Sequence, residues 1–520
     1  MQSIGKKSLK FKSDSFFDLL CILFPIFYLV IVLLLTLSIR KTGNYGVETD
    51  FFWLYVPHAK SFLEGNIIID SFHGPIYPVF LALVSLVFKD FFLSGIILSV
   101  FSASIVLYFT YRIISILSDR KLAFLVISFL AINPIFIQYS YTCGTDMFFN
   151  ALVSATIFCF FNQKKTTISR LIATGFLAGI TYLTRNNGVF LLMLGLFIFF
   201  NSDGISIKRK ILYSFSFYSS FILVNLPWNL YCYYINDAFF YNTNYLNVAF
   251  EMYNRGTLNR ESFWFGENKF QSFWDVISYN PIIFLKTYLL NIYENFRKDI
   301  ESFLGWQLGI FFIIGVLYKL RTKINHNQTI YIILNTACFL VLAFVFYSER
   351  FSLFLIPFYL FFSFLVFFSE DLSLSKIWPK DLVYIVIVVL FIWTFISSID
   401  YNRTMISFGP KDLLKIKAKF EQTIKGNSKN ALLASRKPYI AYQLGLQFQV
   451  IPLADSFNEL IKQLKEKNVK FLYWGSDESN SRRNIKFPVS TDSLKNYGLE
   501  ILFKLDDKSI FYGFRRDSLH

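Results

Sequence analysis

The chain has 520 residues, 54% of them hydrophobic, 20% aromatic and only 17% charged, with a formal net charge of +16. Soluble domains carry about 25% charged residues, so most of this chain belongs in lipid. The basic excess fits cytoplasmic loops under the positive-inside bias, and no dense basic run accompanies a nucleic-acid motif, which argues against nucleic acid as a partner.

Lys6, Lys7, Lys10 and Lys12 precede the apolar run 17–39. The run is too long for a signal peptide and lacks a small-residue cleavage site, so it reads as a retained first helix. The loop 40–73 follows. Within it Phe52, Tyr55, Val56, Ala59, Phe62 and Leu63 keep helical spacing up to Gly65. This predicts a helix lying in the membrane interface. Asp50 falls in its first turn, where a helix cap is the plain reading and a general base facing the membrane surface the functional one. Glu48 is a second carboxylate beside it. His73-Gly74-Pro75-Ile76-Tyr77-Pro78 closes the loop.

A spanning helix needs about 20 apolar residues. Candidate segments are 17–39, 74–88, 92–117, 121–138, 147–162, 169–184, 188–200, 211–234, 303–320, 329–347, 351–368 and 382–398. Four basic loops set the sides: Lys164, Lys165 and Arg170; Lys208, Arg209 and Lys210; Lys319, Arg321 and Lys323; Lys376 and Lys380. They place Asp146, the Arg185-Asn186-Asn187 turn, the long loop 235–302, the Ser348-Glu349-Arg350 turn and everything after residue 400 outside. A basic N-terminus inside then allows only an even number of crossings between loop 40–73 and Asp146. Segment 74–88, the shortest of the three between them, is therefore expected to dip in without crossing. Eleven crossings remain, within a range of about 11–13 helices.

Asp146 immediately precedes an apolar helix, where an N-cap is the plain reading. Arg185 precedes a tight Asn186-Asn187-Gly188 turn. Arg350 stands beside Glu349 between two apolar segments, and a snorkelling arginine paired to an acid is its plain reading. Glu251 and Arg255 lie in the long loop. Cys21, Cys159, Cys232 and Cys338 sit in apolar stretches and Cys143 just outside one, without metal-ligand or disulfide spacing.

After Asp400 the composition turns mixed. Ala431–Ser435, Gln447–Leu453 and Lys470–Trp474 read as strands, and Ser456-x-x-Glu459 as a capping box. Phe457, Leu460, Ile461 and Leu464 form one apolar helical face, and Leu499–Leu505 with Ser509–Phe514, joined through Asp506-Asp507, read as a hairpin. The division expected is 1–400, an all-α polytopic membrane domain, and 401–520, a small soluble α/β domain on the outer face. It has no glycine-rich phosphate loop, so no nucleotide is assigned. Its expected role is acceptor contact or packing on the outer loops.

Carboxylates and arginines thus gather on one face of the membrane. Sugar transfer from a lipid phosphate needs both: a carboxylate to take the acceptor proton, and cations to stabilise the departing phosphate. Asp50, Asp146 and Glu48 are the candidate catalytic carboxylates. Arg185, Arg350, Arg255 and His73 are the candidate phosphate ligands, and arginine suits phosphate through paired hydrogen bonds.

The order Glu48-Thr49-Asp50, Gly74-Pro75-Ile76-Tyr77-Pro78 and Asn133-Pro134 before Asp146 resembles the GT-C membrane glycosyltransferases. Within that class it is similar to bacterial relatives of dolichyl-phosphate-mannose protein mannosyltransferases and to the lipid A aminoarabinose transferase. Thr184-Arg185-Asn186-Asn187-Gly188, Pro227-Trp228 and Arg350 before Phe351–Pro357 add to the likeness, which covers roughly 15–400. The resemblance implies a GT-C-like fold, Asp50 as base, Asp146 as the second-loop acid and Arg185 as the basic group. It also implies a polyprenyl-phosphate sugar donor, a lipid, glycan or protein acceptor, and inversion. Family members with Lys or an acid before the proline pair hold phosphate or metal there. This chain has His73-Gly74, so no metal ligand is assigned and the need for a divalent metal stays open. The location expected is the plasma (inner) membrane, N-terminus cytoplasmic and C-terminal domain outside. A transporter or flippase for lipid-linked sugars is the alternative, but no internal repeat is visible and the ionisable residues avoid the midplane. A polysaccharide polymerase or ligase is a further alternative, since loop 235–302 is large.

Overall fold

A computed structural model describes residues 2–41, 50–162, 167–200, 205–255, 269–321, 324–368, 379–407, 413–424, 431–487, 491–505 and 509–515. Glu48, Lys164, Lys165, Lys323, Lys376, Asp506 and Asp507 lie outside the described residues. The chain divides into two compact units. One is built from 1–38, 58–256 and 268–403; the other contains 39–57 and 404–520.

The first unit is helical. Among the described residues five helices are long and apolar enough to cross a membrane, Phe16–Ile39, Phe91–Leu117, Pro281–Arg321, Glu349–Phe368 and Asp381–Ser407. The pair Arg120–Ala131 and Pro134–Ser140, bent by 67°, makes a sixth when taken as one span. The bend follows from local chemistry. Asn133 caps the second helix, accepting from the Ile135 and Phe136 amides at 3.1 Å each, and Pro134 starts it. A proline is tolerated there because the first amides of a helix have no intrahelical partner. Asp90 and Asp119 cap their helices in the same way.

Inside lipid the packing of helices depends on close backbone approach rather than on the hydrophobic effect. Gly175 and Gly179 bring Ile168–Thr184 against Ile207–Asn236. A Cβ on Gly175 would stand 2.2 Å from the Phe217 carbonyl oxygen. Gly315 does the same on Gly305–Arg321, with the Phe362 carbonyl oxygen 2.1 Å from where its Cβ would be. The outer faces of Phe16–Ile39 and Asp381–Ser407 remain apolar and exposed, as a lipid-facing surface requires. The chain is an integral membrane protein of the expected class, an α-helical membrane portion followed by a small α/β portion.

Residues 235–302, expected as a loop, hold three helices among the described residues: Tyr245–Tyr253, Phe273–Tyr279 and Pro281–Asp299. The last continues through a π-helical turn, Ile300–Leu304, into Gly305–Arg321. Its charges, Lys286, Glu294, Arg297, Lys298 and Asp299, mask it in a hydropathy reading.

In the second unit the strands β1 (Leu432–Ser435), β2 (Gln447–Val450), β3 (Phe471–Trp474), β4 (Leu499–Lys504) and β5 (Ile510–Phe514) form one sheet in the order β2-β1-β3-β5-β4. β1 is parallel to β2 and β3, whereas β5 is antiparallel to β3 and β4. Side chains alternate across a strand. Ala434, Leu472 and Tyr512 therefore face the helix Phe457–Glu466, and Leu433, Phe471 and Phe511 face Leu413–Thr423 and Tyr439–Leu444. Covering both faces is what parallel strands demand. The Ser456 hydroxyl accepts from the Glu459 amide at 3.3 Å, and the Glu459 carboxylate returns to the Asp455 amide at 2.9 Å, one residue earlier than a standard capping box.

Candidate active site

Asp146, Arg185 and Arg350 come together although 39 and 204 residues separate the arginines from the acid. Asp146 stands in the first turn of Thr145–Phe161, after Gly144 as N-cap. The capping reading is thereby corrected: Asp146 lies inside the turn, 7% exposed, with its Oδ1 accepting from Arg185 Nη1. The same oxygen faces Arg350 Nε at 3.5 Å. Arg185 leaves the helix Ile168–Thr184 in extended conformation, which turns it into the site. The Phe351 ring lies under both guanidiniums, at 5.1 Å from Arg185 and 5.3 Å from Arg350.

One carboxylate is thus shared by two guanidiniums. Such a group is matched by an anion able to accept several hydrogen bonds, of which phosphate is one.

His73 belongs to a loop tied to the Arg185 turn. Asn186 Nδ2 donates to the Phe72 carbonyl oxygen at 3.1 Å, and Asn244 Nδ2 donates to the same oxygen at 3.0 Å. Gly74 packs so tightly that a Cβ there would sit 1.7 Å from the Leu183 carbonyl oxygen. His73 Nδ1 is 2.8 Å from Asp70 Oδ1, which also accepts from the Phe72 and His73 amides. Burial pushes the Asp70 carboxyl upward, but these hydrogen bonds and the His73 charge outweigh it and hold the group below the usual carboxylate range. Burial also lowers the nearby His58 imidazole, against the pull of Asp70. Asp70 escaped the sequence reading, although Asp at the third position before a His-Gly-Pro turn is a recognisable Asx-turn signal.

Arg255 joins a different set of partners. It pairs with Glu294, stands 3.6 Å from Glu251 and donates to Asn291 Oδ1 at 3.1 Å. Burial raises the Glu251 carboxyl, with Arg255 opposing the rise. These contacts tie the helix Tyr245–Tyr253 to Pro281–Asp299.

Asp50 falls in the second unit. It directly precedes the π-helical turn Phe51–Tyr55, which leads into the helix Val56–Leu63 at the place expected for the interfacial helix. Its side chain makes no cap hydrogen bond, so capping does not account for it. Glu48 lies outside the described residues. Among the described residues no group of three or more His, Cys, Asp or Glu side chains is arranged to hold a metal ion.

Residues 72–228 match the family model described as dolichyl-phosphate-mannose-protein mannosyltransferase. No curated protein matches the chain by sequence. Among solved structures, ArnT from Cupriavidus metallidurans bound to undecaprenyl phosphate is similar with a TM-score of 0.61 at 11% identity, over 94% of this chain and 97% of that one. Its apo state gives 0.57 at 10% identity over the same shares. The Archaeoglobus fulgidus oligosaccharyltransferase AglB, in complex with an inhibitory peptide and a dolichol-phosphate, gives 0.52 at 13% identity, over 86% of this chain and 69% of that one. The resemblance to GT-C glycosyltransferases therefore holds: in sequence over 72–228, in fold over nearly the whole chain.

Proposed function

We propose that the protein is an inverting membrane glycosyltransferase that moves a sugar from a polyprenyl-phosphate carrier to a lipid, glycan or protein acceptor on the outer face of the membrane. The observation that carries this reading is the pair of guanidiniums, Arg185 and Arg350, set on the single carboxylate of Asp146. Two guanidiniums set side by side suit the phosphate that develops as the sugar leaves. The family match over 72–228 and the fold shared with ArnT, whose structure holds undecaprenyl phosphate, support the same class of donor. In this mechanism the acceptor hydroxyl oxygen attacks the anomeric carbon from the face opposite the phosphate. The carbon–oxygen bond to phosphate breaks, and its electron pair leaves with the polyprenyl phosphate. The hydroxyl proton passes to a carboxylate, a role assigned to Asp50. Arg185 and Arg350 stabilise the leaving group. Arg255 and His73 are assigned supporting phosphate contacts, and Asp146 orients the two arginines. On this reading the protein sits in the plasma (inner) membrane, with its N-terminus on the cytoplasmic side and the 401–520 domain on the outer side.

The test is Asp50→Asn in the full-length protein, read as formation of polyprenyl phosphate from a panel of polyprenyl-phosphate sugars. Asn keeps the shape and a hydrogen-bond acceptor, so a fold-only role leaves turnover unchanged. The expected result is a folded protein slowed about 100-fold or more, the scale of a general base. Near-normal turnover would remove Asp50 from the mechanism and move the base to Asp146.

A further inference from the structure

Asp70 lies in the loop between the helices Val56–Leu63 and Ile76–Phe88, and one of its oxygens serves three nitrogens. Oδ1 accepts from the Phe72 amide at 2.8 Å and from the His73 amide at 2.7 Å, and His73 Nδ1 stands 2.8 Å from the same oxygen. The two amide bonds form an Asx turn and would shape the loop around any residue at 73. The third bond is different, because it holds a ring. Burial works against the Asp70 charge, but these bonds and the His73 charge keep the carboxyl below the usual carboxylate range, so it is ionised. An ionised carboxylate can only accept. The proton in the third bond therefore belongs to Nδ1, which leaves Nε2 as the nitrogen for a further partner. His58, on the helix Val56–Leu63, is the other imidazole near this carboxylate, and the hydrogen bond goes to His73.

Both neighbours of His73 are pinned to the chain around Arg185. The Phe72 carbonyl oxygen accepts from Asn186 Nδ2 at 3.1 Å, and Asn186 directly follows Arg185. Gly74 lies against the carbonyl oxygen of Leu183, two residues before Arg185, so closely that no Cβ would fit. His73 and Arg185 thus stand opposite each other on two packed stretches of chain. Arg185 reaches on to Asp146, which Arg350 also approaches at 3.5 Å. The His73 side chain is 28% exposed and that of Asp70 21%, so the pair is partly open to a ligand.

We infer that Asp70 is a positioning residue: by holding Nδ1 it sets the His73 ring with Nε2 directed to the phosphate at Arg185, to which the doubly protonated ring donates a hydrogen bond. This rests on the reading of His73 and Arg185 as phosphate contacts. A phosphate oxygen accepts, so the ring in the complex carries a proton on each nitrogen, and the Asp70 carboxylate balances its charge. Asp70 itself touches no substrate.

The experiment is nitrogen magnetic resonance of the full-length protein in lipid nanodiscs, with isotope-labelled histidine, alongside binding of undecaprenyl phosphate and of undecaprenol. The chain has four histidines, and the signals lost in His73→Gln are those of His73. Without ligand, His73 Nδ1 is expected to carry a proton. With undecaprenyl phosphate bound, Nε2 is expected to be protonated as well, whereas undecaprenol leaves the ring unchanged. Asp70→Asn keeps an oxygen for the Phe72 and His73 amides but removes the charge. It is expected to weaken undecaprenyl phosphate about tenfold, the scale of one charge-assisted hydrogen bond, and to leave undecaprenol unchanged. Combined with His73→Gln it is expected to add nothing further, as for two residues acting as one unit. A bare Nδ1, a bare Nε2 with undecaprenyl phosphate bound, wild-type phosphate affinity in Asp70→Asn, or equal loss for both lipids would overturn the inference. If Asp70→Asn does not fold, the ring signals of the wild-type protein carry the test. Should His73→Gln bind undecaprenyl phosphate normally, the reading of His73 fails; should it bind weakly while Asp70→Asn binds normally, only the role of Asp70 fails.

Discussion

Arg185 and Arg350 share the Asp146 carboxylate, and that shared contact makes their removal informative. If they hold the leaving phosphate, Arg185→Ala or Arg350→Ala should each cost on the order of 2–4 kcal/mol of transition-state stabilisation, the range for losing one preorganised donor. Turnover per folded enzyme measures it. Arg→Lys should not restore full activity, because a lysine lacks the planar fork and its stacking on the Phe351 ring. Unchanged turnover in both alanine variants returns the pair to a structural role. At this scale the sequence was informative about which residues matter and silent about their pairing. Asp146, Arg185 and Arg350 stood out because ionisable groups beside apolar segments are expensive. Nothing local says that one acid would serve both arginines, since that depends on how helices far apart in the chain pack.

Among the elements, the segment after Asp50 is held by aromatic contacts within the second unit. The Phe52 ring is 4.3 Å from Tyr442, and the Trp53 ring meets Phe448 edge-on at 5.1 Å. Such pairs are worth about 0.5–1.5 kcal/mol each beyond the area they bury. Tyr442 follows β1 on the helix Tyr439–Leu444, and Phe448 sits in β2, so the sheet provides a rigid base for a turn of irregular helical type. Tyr442→Ala with Phe448→Ala should therefore speed hydrogen exchange in 51–57 and lower turnover, while β3 and β5 keep their protection. Equal protection in 51–57 before and after would show that the turn is held by other means. The helical periodicity of Phe52–Leu63 was legible, as were all five strands, because patterns of period 3.6 and 2 are local properties. The short helices Tyr439–Leu444 and Ser476–Ser481 were not, since six residues are too few to establish a period.

For the whole molecule, sidedness is the property that the proposed chemistry depends on, and the basic loops carry it. Arg321 ends the helix Gly305–Arg321 on the side assigned to the cytoplasm. A single cysteine at position 321, in a chain cleared of its five native cysteines, should resist a membrane-impermeant maleimide in intact cells and react after the membrane is opened. Labelling from outside would reverse every side assigned. The orientation was inferred from Lys and Arg counts, whereas the number of crossings was harder to read because several helices are short, bent or diluted by charge. The loop at residues 70–74 has a consequence of another kind. Its backbone is stapled to the turn after Leu183 and, through the Thr243 amide on the Ser71 carbonyl oxygen at 2.9 Å, to the start of the helix Tyr245–Tyr253. The conformational freedom of this stretch is given up when the protein folds, not when a ligand arrives. If this stretch contacts a lipid headgroup, as proposed, ordering the chain adds little entropic penalty to its capture.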